Sequence, residues 1–139
     1  ACMELLRAHG IDPAGRRVTV VGRSLVIGRP AALLLTRADA TVTLCHRKTP
    51  DLAARCRAAD ILLAAAGAPG LITPECVRPG QIVLDAGATA LPDGTLRGDV
   101  TPAAAAIAAC TPVPGGIGSV TTALLLRHTV QAAEKSHHF

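Results

Sequence analysis

The feature that most constrains this chain is a set of short aliphatic runs, each separated from the next by a turn and a helical stretch. Arg17-Val-Thr-Val-Val21, Ala40-Thr-Val-Thr-Leu-Cys45, Ile61-Leu-Leu-Ala-Ala65 and Gln81-Ile-Val-Leu-Asp85 all read as strands. They are largely apolar throughout instead of alternating with polar residues, as expected of parallel strands covered on both faces. Helical stretches between them give βαβ units. The predicted fold is α/β, a single domain with a doubly wound, mostly parallel sheet.

The segments between the strands fill in this plan. Cys2–His9 reads as the end of a helix stopped by Gly10, and the abrupt start of the chain suggests truncation. Gly22–Gly28 is a turn. Pro30 falls in a first helical turn, where its missing N–H is harmless, and Ala31–Ala38 continues that helix. Asp51–Ala59 is a short helix, Thr73-Pro74 caps a helical turn, and Pro92-Asp93-Gly94 is a turn. A brief strand is expected near Leu96–Val100, and an alanine-rich helix from Thr101-Pro102 through Ala109. Ser119 is expected to N-cap a last helix running to about Glu134. Leu124, Leu125, Thr129, Ala132 and Ala133 of that helix cannot all face one small sheet, so part of its apolar stripe is expected to be exposed, with self-association as one way to cover it.

Composition narrows the function classes. Of 139 residues, one is Phe and none is Trp or Tyr, so the base-stacking platforms of nucleic-acid binders are not available. The net charge of +4 is scattered, as in Arg16–Arg17 and Arg47–Lys48, which reads as a solvated surface. The five cysteines are odd in number and contain no C-x-x-C, which suits free thiols in a reducing cytoplasm. Charges or prolines interrupt every apolar stretch before ~18 residues, so no membrane span is expected. His9, His46 and His128 have no mutual ligand spacing and His137-His138 stands at the chain's end, so no metal site is assigned.

Three segments could carry chemistry. Gly22-Arg-Ser-Leu-Val-Ile-Gly28 joins a strand to a helix, where backbone N–H groups and the helix dipole could hold a pyrophosphate. It departs from G-x-G-x-x-G, and by spacing alone an ordinary strand–helix turn fits as well. The second strand ends in Cys45-His-Arg-Lys-Thr49 instead of in the acidic residue that accepts from a ribose 2′-hydroxyl. Arg47 and Lys48, with Arg23 from the first turn, would attract a 2′-phosphate, which favours NADP over NAD; a basic exposed loop is the plainer alternative. Thr111-Pro-Val-Pro-Gly-Gly-Ile-Gly118 is a stiff arm followed by a permissive turn, and on its own reads as a rigid connector. Asp85 ends a strand where a catalytic group could sit, but a structural carboxylate is the preferred reading.

Taken together and in order, Val21-Gly-Arg-Ser-Leu-Val-Ile-Gly-Arg-Pro30, Ala40-Thr-Val-Thr-Leu-Cys-His46 and Thr111–Gly118 resemble the signature segments of FolD-type methylenetetrahydrofolate dehydrogenase/cyclohydrolases. Asp60-Ile-Leu, Gly67-Ala-Pro, Pro79-Gly80, Asp93-Gly94 and Gly98-Asp-Val100 extend the likeness over nearly the whole chain. The resemblance implies a Rossmann-like NAD(P)-binding domain that takes NADP. Gly22, Arg23 and Ser24 would line the cofactor phosphates, with Ile27 and Gly28 completing the turn. Arg47 matches the position that meets the 2′-phosphate, and Ala88 one whose backbone lies near the nicotinamide. Pro114, Gly115 and Gly116 would border the cleft for a tetrahydrofolate derivative.

The sequence departs from the family at Gly87-Ala-Thr-Ala90, where G-I-N-R is commoner, and at Ser119-Val-Thr121, where P-M-T is usual. Its Y-x-x-x-K motif has no match, since the chain has no Tyr and neither Lys48 nor Lys135 stands in that context. The implied N-terminal folate-binding catalytic domain is therefore expected to be absent, with residues 1–10 the end of an interdomain helix and 119–135 the C-terminal helix. The implied reaction is oxidation of 5,10-methylenetetrahydrofolate and hydrolysis to 10-formyltetrahydrofolate, within one-carbon metabolism. This chain alone is expected to be inactive, with no catalytic residue of its own, and the full-length enzyme to be a homodimer. A stand-alone nucleotide-binding or regulatory module is the alternative.

Overall fold

The computed structural model describes residues 1–136. Five strands form one parallel sheet: β1 (Arg17–Val21), β2 (Thr41–Cys45), β3 (Ile61–Ala64), β4 (Ile82–Asp85) and β7 (Ala109–Cys110), in the order β2-β1-β3-β4-β7. The chain runs outward from β1 to the β2 edge, then returns to β3 on the other side. The switch of direction thus falls between β1 and β3. In such sheets the loops leaving the carboxyl ends part company there and open a crevice.

Two apolar layers cover the sheet, because successive strand residues point to opposite faces. Ile61 and Leu63 of β3 join Val18, Val20, Leu84 and Ile117 on one face. There they meet Leu6 of α1 (Cys2–Ala8) and Ala31 and Leu35 of α2 (Gly28–Arg37). Leu62 and Ala64 point the other way, toward Cys56 of α3 (Leu52–Ala58) and toward Ile72, Cys76, Val77 and Ala104. All four β3 residues are fully buried, so the strand richest in aliphatic side chains is the one with two covered faces. Thr19, the one polar residue inside β1, is buried with its hydroxyl donating to Arg55 O at 3.0 Å.

The structure corrects three expectations. The alanine-rich stretch is helical only over α4 (Pro102–Ala105), and Ala109–Cys110 becomes the edge strand β7. Ala109 N and Thr111 N donate to Gln81 O and Val83 O, so sheet pairing overrides alanine's helix propensity. The strand near Leu96–Val100 is a two-residue β6 (Leu96–Arg97) paired antiparallel with β5 (Thr89–Ala90), outside the main sheet; Val100 makes an isolated bridge to Ile72. The last helix, α5 (Ile117–Ser136), begins two residues before Ser119, which lies inside its first turn and does not cap it.

Along α5 only Ile117 is buried. Leu125, Leu126 and Val130 are 67%, 65% and 58% exposed, in keeping with a stripe that the sheet does not cover. No helix among the described residues is long and apolar enough to cross a membrane.

Candidate functional site

The carboxyl end of β1 runs into the turn Gly22–Ile27 and then α2. Gly22 has φ +116°, and a Cβ there would overlap the Ala65 carbonyl; a Cβ on Gly28 would overlap the Gly22 carbonyl. Both positions therefore require glycine, and they pull the turn tightly against β3 at the switch point. Ser24 Oγ accepts from Ile27 N at 3.1 Å and Gly28 N at 3.4 Å, and Ser24 O accepts from Arg29 N at 3.0 Å. The N–H groups of Arg23, Ser24, Leu25 and Val26 have no partner among the described residues. The ten-residue α2 has no acidic residue in its first turn. Free amides at the positive end of a helix dipole make an anion site.

β2 brings the second group. Val21 pairs with Cys45, and Gly22 N donates to Cys45 O at 2.9 Å, so Arg23 and Arg47 each stand two residues beyond a paired position on adjacent strands. Both are exposed, and neither they nor Lys48 form an ion pair among the described residues. The turn that carries Arg47 is stapled: Thr49 Oγ1 accepts from His46 N at 2.9 Å, Thr49 N donates to His46 O at 2.8 Å, and Lys48 N donates to His46 Nδ1. Two arginines on adjacent strand ends, unpaired among the described residues and beside free amides, suit a phosphorylated ligand.

The third group lines a cleft of about 780 Å³ between the starts of α1 and α2, the end of β4 and the start of α5. Ile27, Ala88, Pro114, Gly115 and Gly116 all line it, whereas Gly22, Arg23, Ser24, Gly28 and Arg47 do not. The candidate residues thus divide into a phosphate turn over β1 and β2 and a cleft wall over β4 and β7, side by side along one edge of the sheet. Residues 111–116 are tied to that edge where Asp85 N donates to Thr111 Oγ1 at 2.9 Å. Gly115 takes φ +95°, and a Cβ on Gly116 would overlap the Pro112 carbonyl. The stiff arm is therefore folded tightly at the cleft.

Asp85 lines the cleft, but its oxygens are engaged. Oδ1 accepts from Gly87 N at 2.9 Å and Asp99 N at 3.0 Å, and Oδ2 from Val100 N at 3.0 Å. Burial pushes its carboxyl above the ordinary value, against the pull of those three amides. Its carboxylate thus ties together the backbone of residues 87, 99 and 100. Asp99, unremarked in the sequence beyond its place in Gly98-Asp-Val100, is fully buried at the same edge. An aspartate between glycine and valine, in so aliphatic a chain, was the available signal. The cleft's lining also includes Val26 and Pro30 of the first motif, and Leu34 and the first three residues, which carried no site role in the sequence.

The remaining titratable groups offer little chemistry. Burial pushes the Cys56 thiol up to about 12 and the Cys110 thiol up to about 11, so both stay protonated and unreactive. No group of three or more potential metal ligands occurs among the described residues, and His137 and His138 lie outside them.

Comparison with known proteins bears on this geometry. The family described as "Tetrahydrofolate dehydrogenase/cyclohydrolase, NAD(P)-binding domain" matches residues 1–137. "Bifunctional protein FolD 1" of Rhodococcus jostii is 58% identical over 135 residues, covering 96% of this chain and 46% of that protein. "Bifunctional protein FolD" of Chloroflexus aurantiacus is 56% identical over 132 residues, covering 94% and 46%. The crystal structure of FolD from Campylobacter jejuni aligns with a TM-score of 0.92 at 41% identity, over 97% of this chain and 49% of that one. The Trypanosoma brucei enzyme, complexed with NADP cofactor and inhibitor, aligns with a TM-score of 0.91 at 43% identity, over 99% and 50%. The chain spans about half the length of the curated relatives it matches.

Proposed function

This chain belongs to the tetrahydrofolate dehydrogenase/cyclohydrolase family as its NAD(P)-binding domain, and from that premise we propose that it binds NADP as the cofactor half of a methylenetetrahydrofolate dehydrogenase/methenyltetrahydrofolate cyclohydrolase. The observation that carries the reading is the alignment of β1 with β2. It brings Arg23 and Arg47 out beside a turn with free amides, and no acidic residue stands at the end of β2. The turn fits a pyrophosphate because its glycines leave no room for side chains where backbone must approach backbone. The T. brucei relative's complex with NADP supports the same choice.

In this reading the amides of residues 23–26 and the start of α2 hold the pyrophosphate, and Arg47 with Arg23 takes the 2′-phosphate. Gly87–Ala88 and Pro114–Gly116 form the walls between which nicotinamide and folate meet. The bound nicotinamide supplies hydride acceptance in the oxidation of 5,10-methylenetetrahydrofolate, and the protein supplies orientation. Hydrolysis to 10-formyltetrahydrofolate further requires a positioned group to move a proton. The cleft's described lining has no Lys, His, Glu or Tyr. Of its ionisable side chains, Asp85 already accepts three N–H bonds and Cys2 is raised by burial. Proton transfer therefore belongs to a folate-binding domain outside these residues. That domain, or a second copy in a homodimer, would cover the exposed Leu125, Leu126 and Val130 of α5. The five free cysteines suit a cytoplasmic setting.

Calorimetric titration tests the cofactor assignment. NADP should bind more tightly than NAD. Arg47→Ala should weaken NADP about ten- to a hundredfold, the worth of one charge-assisted hydrogen bond, and leave NAD unchanged. Equal losses for both would remove Arg47 from the 2′-phosphate. The 139-residue chain should also show no cyclohydrolase and negligible dehydrogenase turnover in a spectrophotometric assay with NADP and methylenetetrahydrofolate. Turnover comparable to that of a relative carrying the folate domain would place catalytic groups in this chain.

A further inference from the structure

Asp85 and Asp99 are 4% and 0% exposed, and neither takes part in an ion pair among the described residues. Each collects three backbone N–H groups instead. Asp99 Oδ2 accepts from Ala66 N at 2.6 Å and Gly67 N at 3.1 Å, and Oδ1 from Ala68 N at 2.7 Å. Asp85 accepts from Gly87, Asp99 and Val100. The bond from Asp99 N to Asp85 Oδ1 joins the two sets. Buried carboxylates are costly in an aliphatic core, and here they go only to loop backbone at the sheet's carboxyl end.

Glycines key the two loops together. A Cβ on Gly98 would overlap Asp85 Oδ2, and one on Gly87 would come within 2.6 Å of Asp99 Oδ1. Each carboxylate thus occupies the space left by a glycine next to, or two residues beyond, the other. The loop that Asp99 holds begins where the phosphate turn rests, because Gly22 lies against the Ala65 carbonyl and Ala66 N. The loop that Asp85 holds carries Gly87–Ala88, which line the cleft. One continuous set of bonds therefore runs from beneath the phosphate turn to the cleft wall.

We infer that Asp99 and Asp85 are positioning residues for the dinucleotide: together they fix the spacing between the phosphate turn and the wall where the nicotinamide lies. The inference rests on the reading that NADP binds along this edge. Their carboxylates are taken up by main-chain N–H groups, so they act through Ala66–Ala68 and Gly87–Ala88. A ligand bound at both ends at once is sensitive to that spacing, and displacement by about 1 Å is enough to matter.

Asp99→Asn is the direct test. The amide keeps one oxygen and turns an NH2 toward an N–H that the other oxygen served, at unchanged volume. Calorimetric titration should be done at a temperature where circular dichroism shows the variant fully folded. NADP affinity should fall about tenfold or more, the scale of a lost bond to a charged acceptor. Gly98→Ala displaces the Asp85 carboxylate without changing any charge, and should also weaken NADP. Leu62→Ala, which removes core contacts in the layer beneath, should lower the melting temperature and leave the affinity of the folded protein alone. That control separates positioning from general stability. Folded Asp99→Asn and Gly98→Ala chains that bind NADP like the parent would overturn this inference alone. A parent chain that binds no dinucleotide would overturn the proposed function, and this inference with it.

Discussion

Opposite ends of the same sheet hold their aspartates in different ways. At the amino end, Asp60 precedes β3 in contact with solvent, and its side chain is 31% exposed. Its carboxylate accepts from Arg17 N, Nε and Nη2 and from Arg78 Nη2, at 3.0–3.3 Å. Those bonds hold its carboxyl down at about 2. At the carboxyl end, Asp85 and Asp99 are buried and bonded to main-chain amides, and burial pushes Asp85 upward. Water can replace most of what the guanidinium groups give Asp60. The Asp85 and Asp99 carboxylates themselves are shut away from it, at 4% and 0% exposure. Ligands of α/β sheets lie at the carboxyl ends of the strands, so the buried acceptors stand where loop geometry has to be exact enough to bind.

The largest effect that would break this contrast is at Asp85. Asp85→Ala leaves three amides without an acceptor, two of them buried with the residue they belong to, and should destabilise the chain by about 3–5 kcal/mol in urea unfolding. A loss below about 1 kcal/mol would mean that water enters and serves those amides, and that both ends are surface-like.

Acid titration sharpens the contrast, because the two ends should differ in sign. Asp60 is depressed in the folded chain, so the stability it contributes is complete above its ordinary value of 3.8 and is lost as pH falls toward about 2. Asp85 is raised, so its folded form holds a proton that the unfolded form has released. Stability from this group declines as pH rises from 3.8 toward its raised value. In Asp60→Asn the decline below pH 3.8 should be reduced, measured as unfolding midpoint against pH. An unchanged acid limb would show that the Arg17–Asp60–Arg78 contacts do not persist in solution.

At neutral pH the same Asp60→Asn change should cost at most about 1 kcal/mol, as for other exposed ion pairs. The smallest effect, and the floor for the series, is expected outside both ends. Leu126→Ser on α5 replaces a side chain that is 65% exposed and should shift unfolding by no more than about 0.5 kcal/mol. A larger shift in the isolated chain, or one that depends on protein concentration, would show that the helix face is covered by another copy.

Much of this arrangement is written locally. Runs of Val, Ile and Leu specify buried parallel strands because a residue's own hydrophobicity and branching decide whether it suits a sheet covered on both faces. Gly28 and Pro30 mark the turn after β1 because each answers a steric demand within a few residues of itself, whereas the demand on Gly22 comes from Ala65 on the neighbouring strand. The absence of an acidic residue after Cys45 is likewise a local fact, and so the arginines of the two strand ends could be read as one site. The Pro-Gly segment at 111–118 was legible as stiff, although only folding showed that it lines the cleft.

What the tertiary structure decided has a different physical origin. Ala109–Cys110 leaves the helical pattern of the alanines before it because Gln81 and Val83 offer carbonyls at a free sheet edge, a partner that no local propensity contains. Asp99 is separated by more than thirty residues from the amides it serves, and its flanking glycine and valine do not say which amides those are. By itself the sequence determined which segments are strands, where the glycine-bounded turn lies and which strand ends carry arginines, since these follow from each residue's own shape and polarity. Only the fold decided which carboxylate would be buried and which backbone it would hold, because burial is a property of everything that surrounds a residue.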